Sequence, residues 1–226
     1  MLNAKFYIQE QNVYAGLGNK ISAIFAKSVF SSFEDTKNIS KKKLNYTGPI
    51  VNTTLTRSDI SLFEKQTIGF MGGSQGSKQI NNYVDKFMET EYHLNFNIVH
   101  VTGKNNDKLD INSKNYRSVD FIENMDEFYR EIDILVGRAG GGSLEAAYLG
   151  IPQILIPYTH GTTSSHQVLN ARHLEQKGFG FTVNSFEELK NNIKNISENI
   201  KYKKFNMKKI PIGNFIISKE LYEQIN

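Results

Sequence analysis

From Thr67 onward the chain alternates between short apolar runs and longer stretches whose apolar residues recur every three or four positions. The runs Thr67–Met71, Asn97–Thr102, Tyr116–Phe121, Ile134–Val136, Gln153–Ile156 and Gly180–Val183 predict buried strands, since a strand covered on both faces is apolar along its length. Ile80, Tyr83, Val84, Phe87 and Met88 have helical spacing and predict a helix ending near Glu89. Further helices are predicted over Met125–Ile132, Leu144–Leu149, Ser165–Lys177 and Phe186–Ile196, with Gly150 placed to cap the second of these. Ser185 and Glu188 form a capping box for the last. Such alternation predicts an α/β fold with a parallel, doubly wound sheet.

Ahead of this block, Phe6–Gln9 and Ser28–Phe33 predict strands on either side of a helix over Asn19–Lys27, with Ile21, Ile24 and Phe25 on one face. Glu34–Lys43 is polar and lysine-rich and reads as a surface loop; Tyr46–Thr56, with Gly48 and Pro49, reads as a linker. Phe215–Ile225 predicts a short amphipathic helix.

Composition narrows the classes. A chain of 226 residues can bury one core, or one core and a satellite. No apolar run approaches the roughly 18–20 residues that span a bilayer, and no charged-then-apolar leader precedes a small-residue cleavage site. Neither a membrane span nor secretion is therefore expected. The absence of cysteine removes disulfides, thiolate metal sites and cysteine nucleophiles together. The net charge is +4, with basic runs at Lys41–Lys43 and at Lys201, Lys203, Lys204, Lys208 and Lys209. These runs are open to two readings: a solvated face, or contact with an anionic membrane surface, where each cation adds about 1 kcal/mol. Nucleic acid is not expected as a partner, because the basic residues lack interleaved aromatics or a helix-turn-helix context.

Candidate chemistry sits in two glycine clusters. Gly69-Phe70-Met71-Gly72-Gly73-Ser74-Gln75-Gly76-Ser77 runs from a predicted strand into a helix, and Asp133–Pro152 contains the strand-to-helix turn Arg138–Ser143 with three consecutive glycines. Glycine lets backbone approach a phosphate, and the unpaired N–H groups of a helix N-terminus point at it. Tight turns of this kind also occur without a ligand, but two in one domain fit a nucleotide lying across the carboxyl ends of a parallel sheet. Glu145, read as first-turn, is either favoured by the helix dipole or an acceptor for two neighbouring hydroxyls, as on a ribose. Neither loop reads Gly-x-Gly-x-x-Gly, which argues against a dinucleotide dehydrogenase. There is no Gly-x-Ser-x-Gly elbow, paired-carboxylate signature or metal-ligand spacing, so neither metal nor cofactor is expected.

Gly72-Gly73-Ser74-Gln75-Gly76, His100-Val101-Thr102-Gly103-Lys104, Tyr116–Ile122, Asp133–Gly140 and Leu149-Gly150-Ile151-Pro152 occur in the order found in the MurG family. Members of that family are peptidoglycan N-acetylglucosaminyltransferases that convert lipid I to lipid II. Ile156–His160 with His166–Ala171 resembles the family's donor-sugar loop, and Gln9–Asn12 with Ala15–Lys20 resembles its His-Glu-Gln-Asn and Gly-Leu-Thr-Asn-Lys segment. The resemblance covers nearly all of residues 6–183. It implies a GT-B-type glycosyltransferase: a C-terminal Rossmann-like UDP-sugar-binding domain over 51–210, a remnant of the acceptor-binding domain over 1–50, and a C-terminal helix over 211–226 that crosses back. The implied activity is transfer of N-acetylglucosamine from UDP-N-acetylglucosamine to lipid I, by a peripheral enzyme on the cytoplasmic face of the bacterial inner membrane.

The same resemblance implies roles for single residues. Asn12 contacts the donor, Ser74 the diphosphate, and Ile122 packs near the uracil. Gly141, Gly142, Ser143 and Leu144 wall the diphosphate and ribose, Glu145 takes the ribose hydroxyls, and Gln167 reads hydroxyls of the sugar. His166 is either a donor contact or a helix N-terminal residue, and Arg138 either balances diphosphate charge or makes a surface ion pair. None of His93, His100, His160, His166 and His173 sits in a motif marking a catalytic base. Two departures stand out: Asn52 occupies the place of the family's linker arginine, and the loop Arg138–Glu145 is one residue short. The family's enzymes are longer, and their acceptor-side glycine loop with Gly-Gly-His is absent here. Sugar transfer by these 226 residues alone is therefore not expected. Three readings stay open: an incomplete transferase, the donor-binding subunit of a split enzyme whose acceptor domain is a separate chain, and a non-catalytic UDP-sugar-binding protein.

Overall fold

The computed structural model describes residues 5–57, 65–104, 106, 109, 111–158, 164–201 and 209–225. Its first layer is a small parallel sheet of β1 (Tyr7–Glu10), β2 (Ser28–Ser31) and β3 (Leu44–Tyr46), with α1 (Leu17–Ser22) between the first two. The order is β1-β2-β3, with Tyr7 opposite Ser28 and Val29 opposite Leu44. The second sheet holds β4 (Thr67–Met71), β5 (Asn97–Val101), β6 (Tyr116–Val119), β7 (Ile134–Gly137), β8 (Gln153–Leu155) and β9 (Phe181–Thr182). All six are parallel, in the order β6-β5-β4-β7-β8-β9. The chain steps outward from β4 to β6, then returns to the other side of β4 to begin β7. That reversal is the switch point at which doubly wound folds bind ligands.

Six further helices follow: α2 (Lys78–Met88), α3 (Met125–Glu131), α4 (Gly141–Leu149), α5 (Ser164–Gln176), α6 (Phe186–Lys201) and α7 (Asn214–Ile225). Alternation along the strands feeds two cores. Ile68, Phe70, Ile98, Ile134, Val136 and Ile154 meet Ile80, Val84 and Phe87 of α2 and Leu189, Ile193 and Ile196 of α6. Val99, Val101 and Leu135 point the other way, onto Phe128 and Tyr129 of α3 and Ala146 and Leu149 of α4. Burial on both faces is why these strands read as unbroken apolar runs. A third cluster joins the layers, packing Val13 and Phe33 on Leu144, Ala147, Ala171 and Leu174. α7 returns to the first layer, where Asn45 donates to Glu220 (2.8 Å), the Asn214 amide exchanges bonds with the Val51 backbone (3.1 and 2.8 Å), and Gly213 N–H donates to the Pro49 carbonyl (2.9 Å).

Several sequence expectations need correction. β3 falls between the expected loop and the expected linker and takes Tyr46 from the latter, because Leu-Asn-Tyr carries almost no strand signal until β2 offers an edge. The helix expected over Asn19–Lys27 is regular only from Leu17 to Ser22. Ala23 and Ala26 turn inward, while Ile21, Ile24 and Phe25 are 52, 68 and 78 % exposed. Lys43 is not a free surface cation: its ammonium donates to the carbonyls of Ala23, Ile24 and Ala26 (2.8, 2.6 and 2.9 Å) and closes the end of that turn. α4 begins at Gly141, not Leu144, and α6 continues past Ile196 to Lys201. Gly150 caps α4 in the left-handed conformation (φ 69°). Ser185 accepts from the Glu188 N–H (3.2 Å), but the return bond from Glu188 reaches Asn184 N–H (2.8 Å). Lys203, Lys204 and Lys208 lie outside the described residues.

His100 on β5 is fully buried, with Nδ1 2.9 Å from the Tyr116 hydroxyl and Nε2 3.0 Å from Asn81 Oδ1. Asn81 donates its amide N–H to the Thr102 carbonyl (3.2 Å), so its oxygen faces the ring and Nε2 carries the proton. Burial pushes the His100 pKa down to about 4. Between pH 6.5 and 4 the unfolded imidazole therefore takes up a proton that the folded one refuses. Stability should fall with pH across that window by up to about 3 kcal/mol. Denaturant titrations at pH 7 and 4.5 should show His100→Gln losing less stability between the two than the parent does.

Candidate functional site

The loop after β4 is shaped by backbone meeting backbone. Gly76 has φ 75°, and a Cβ there would run into the Thr102 carbonyl oxygen and Gly103 Cα; Gly103 has φ 95° and abuts Gly76 in turn. The loops leaving β4 and β5 thus interlock, and the interlock sets the start of α2. Ser77 caps α2, its Oγ accepting from Ile80 N–H (3.3 Å). After β7 the turn is shorter. Gly140 occupies the N-cap of α4 without a side chain to offer, and the Ser143 hydroxyl donates back to the Gly140 carbonyl (2.6 Å).

A cavity of about 260 Å³ opens between the two helix N-termini. Gly72–Gly76 line one side, Gly137, Arg138 and Gly140–Ser143 the other, Met71 and Leu135 the floor, and Gln167 of α5 the rim. The positive dipole end of α4 and the glycine loop that leads into α2 meet there. Arg138 adds a full charge. Its Nη2 donates to Ser77 Oγ (2.9 Å), its guanidinium lies 4.5 Å from the Tyr158 ring centroid, and its buried Nε has no partner among the described residues. Among the described residues no carboxylate pairs with Arg138, so the surface ion pair is not what this side chain makes. Burial lowers its pKa from the ordinary arginine value while Tyr158 opposes the shift, and it stays cationic at neutral pH.

The structure brings Ser74, Gly141, Gly142, Ser143 and Gln167 to this cavity. Gln167 accepts from Tyr158 N–H (3.1 Å). Glu145 stands in the second turn of α4, not the first, so the helix dipole does not account for it. Its Oε2 accepts from the Tyr129 hydroxyl (2.8 Å), which also contacts the Gly142 carbonyl (3.3 Å). Burial, with the Glu145 charge beside it, pushes the Tyr129 phenol far up, leaving a permanent donor. Leu144 turns away from the cavity into the cluster with Val13 and Phe33. Ile122 packs against the α3 side of the core and is not among the lining residues. Asn12 also stands off the lining, its backbone and side-chain N–H groups both donating to Glu10 Oε1 (2.9 and 2.8 Å). Asn52 forms an exposed turn with Thr54. His166 faces Tyr14 edge-on at 6.0 Å, its buried Nδ1 without a partner among the described residues, while His160 lies outside them. Tyr129 carries no role in the sequence, where it is one apolar position of a predicted helix, and Ser77 and Tyr158 fall inside the quoted motifs without a role of their own.

Residues 67–220 match the glycosyltransferase family 28 C-terminal domain. The chain belongs to that family. Among its relatives is the UDP-N-acetylglucosamine--N-acetylmuramyl-(pentapeptide) pyrophosphoryl-undecaprenol N-acetylglucosamine transferase of Pseudothermotoga lettingae, 35 % identical over 182 residues, covering 78 % of this chain and 52 % of the relative. The like-named protein of Staphylococcus saprophyticus is 34 % identical over 188 residues, covering 78 % and 52 %. The chain thus spans about half the length of these relatives. Acinetobacter baumannii MurG superposes over 96 % of this chain and 67 % of its own, with TM-score 0.66 and 21 % identity. A Neisseria meningitidis UDP-GlcNAc 2-epimerase solved with UDP-GlcNAc superposes over 90 % and 63 %, with TM-score 0.58 and 16 % identity. At those identities the likeness is one of fold, the Rossmann-like half of a GT-B architecture.

Gly76→Ala should lower stability by at least about 1–2 kcal/mol, through left-handed strain compounded by the Thr102 clash. Urea unfolding should show it as a lower midpoint at unchanged slope.

Proposed function

We propose that this chain binds UDP-N-acetylglucosamine across the carboxyl edge of the six-stranded sheet, residues 51–210 forming the sugar-nucleotide domain. We infer further that it supplies the donor half of an inverting hexosyltransferase that passes N-acetylglucosamine to lipid I in peptidoglycan synthesis. The observation that carries the reading is the cavity itself, wedged between the N-termini of α2 and α4 at the switch point. A diphosphate there meets the Ser74 hydroxyl and loop N–H groups from one side and the Gly141–Leu144 backbone from the other. Glu145, held by Tyr129, takes the ribose hydroxyls, and Ile122 lies toward the uracil. Gln167 reads the sugar, with Asn12 reaching it from the first layer.

In the proposed step an acceptor hydroxyl of lipid I attacks the anomeric carbon as its bond to the β-phosphate oxygen breaks, the proton passing to a base. Charge then grows on the departing UDP, where two helix ends and Arg138 already stand, preorganised to receive it. These groups supply the electrostatic stabilisation from the chain's own residues. The printed names of the relatives, transferases of N-acetylglucosamine to an undecaprenyl-linked muramyl peptide, support the same substrates here.

We further propose peripheral contact with an anionic membrane, on the cytoplasmic face of the inner membrane. Residues 1–50 hold seven lysines and three acids, a net +4 that equals the charge of the whole chain. The same stretch presents the exposed Leu17, Ile21, Ile24 and Phe25. No described helix is long and apolar enough to cross a membrane.

Calorimetry with millimolar UDP on folded protein should give a saturable heat; its absence would sink the nucleotide reading. Glu145→Ala should weaken UDP binding by about 1.5–3 kcal/mol, the range for hydrogen bonds to a charged group. Circular dichroism should show the fold kept, and an unchanged UDP affinity would return Glu145 to a structural role.

A further inference from the structure

We propose that Asn170 is a positioning residue which locks the first layer to the nucleotide cavity and so makes sugar recognition depend on that layer. Its amide, on α5 and 4 % exposed, is used on all sides by other segments. Oδ1 accepts from Val13 N–H (2.9 Å), while Nδ2 donates to Asn12 Oδ1 (3.0 Å) and to the Ala139 carbonyl (3.2 Å). A backbone donor at one end and a backbone acceptor at the other leave only one orientation for the amide.

Each partner matters for a different reason. Ala139 lies between Arg138 and Gly140, both cavity residues, so Asn170 ties the first layer to the turn between them. Asn12 is gripped from two directions: Asn170 holds its oxygen, and Glu10 Oε1 holds one N–H, the Glu10 carboxylate being anchored in turn by Asn19 (2.8 Å). One N–H of the Asn12 amide is left without a partner among the described residues. Gln167, on the cavity rim, precedes Asn170 by one helical turn, so the two share a face of α5. Asn12 is thereby stationed beside the end of the cavity where Gln167 stands, the sugar end in the proposed reading on which this inference rests. Because Asn170 is buried and its amide is fully bonded, the residues tied to it respond as a unit when one is removed.

The test is calorimetry with UDP and with UDP-N-acetylglucosamine on the parent chain, Asn12→Ala, Asn170→Ala, Asn170→Asp and the Asn12→Ala/Asn170→Ala pair. Each single alanine variant should lose about tenfold in affinity for the nucleotide sugar while UDP binding stays within about twofold, and the pair should be no worse than either single. Asn170→Asp should not rescue, since its second oxygen faces the Asn12 oxygen and the Ala139 carbonyl. Multiplying losses in the pair, or equal losses for both ligands from Asn170→Ala, would overturn the proposal. An Asn12→Ala variant with unchanged sugar affinity would overturn the donor contact of Asn12 and with it the sugar dependence.

Amide hydrogen exchange judges the lock without any ligand. Asn170→Ala should speed exchange at Val13 and Gly140 together, at least tenfold, and leave Ile98 unchanged. Unchanged protection at either site would refute the lock even if both ligands bind; failure of the parent to bind either ligand would refute the nucleotide reading and leave the exchange result to decide the lock.

Discussion

The pairing of β4 with β7 is the constraint on which the rest of the molecule depends. Ile68 lies opposite Ile134 and Met71 opposite Gly137, so the two strands end at one level although more than sixty residues separate them. Each feeds directly into a glycine turn and a helix, and equal strand ends therefore place two helix N-termini side by side. A slip of one residue would move one turn by roughly 3.3 Å and turn Ile134 and Val136 from one core into the other. Burial on both faces makes that slip costly, so the hydrophobic cores and the placing of the two glycine turns enforce each other.

What the backbone offers at this edge is dipole and N–H groups; what aims the side chains is a set of buried polar contacts behind it. Tyr129 holds Glu145, Ser77 and Tyr158 hold Arg138, and Asn170 holds the Ala139 turn. Tyr129 and Asn170 act as donors, Ser77 as an acceptor and Tyr158 through its ring, and burial keeps the Tyr129 phenol protonated. Preorganisation of this kind spares a site the reorganisation that water would need at the moment charge develops.

The elements themselves were largely legible in the sequence, because strand and helix periodicity is local. Thr67–Met71 and its turn into α2 follow from a continuous apolar run, two glycines and a helical stripe, and the structure places them there. The glycine loops and Gln167 were legible as well, and they meet at one cavity. The misses share a cause. β3 has no pattern of its own and exists because β2 presents an edge; α1 ends at Ser22, and Lys43, some twenty residues on, takes the carbonyls of Ala23, Ile24 and Ala26 in the turn that follows. Three glycines read as loop, yet Gly141–Ser143 are the first turn of α4, whose packing on the sheet overrides glycine's poor helix propensity.

The sequence by itself determined that this is an α/β chain, where its strands end in glycine turns, and which motifs tie it to a glycosyltransferase family. Only the tertiary structure decided that β7 joins β4 instead of extending the sheet past β6, that Arg138 stacks on Tyr158 and faces the cavity, and that Asn170 binds Asn12 and Val13 from 158 and 157 positions away. The reason is one of range. Periodicity and turn chemistry act over a few residues and leave a readable trace, whereas a buried polar side chain takes whatever partner the packed layers bring within three ångströms.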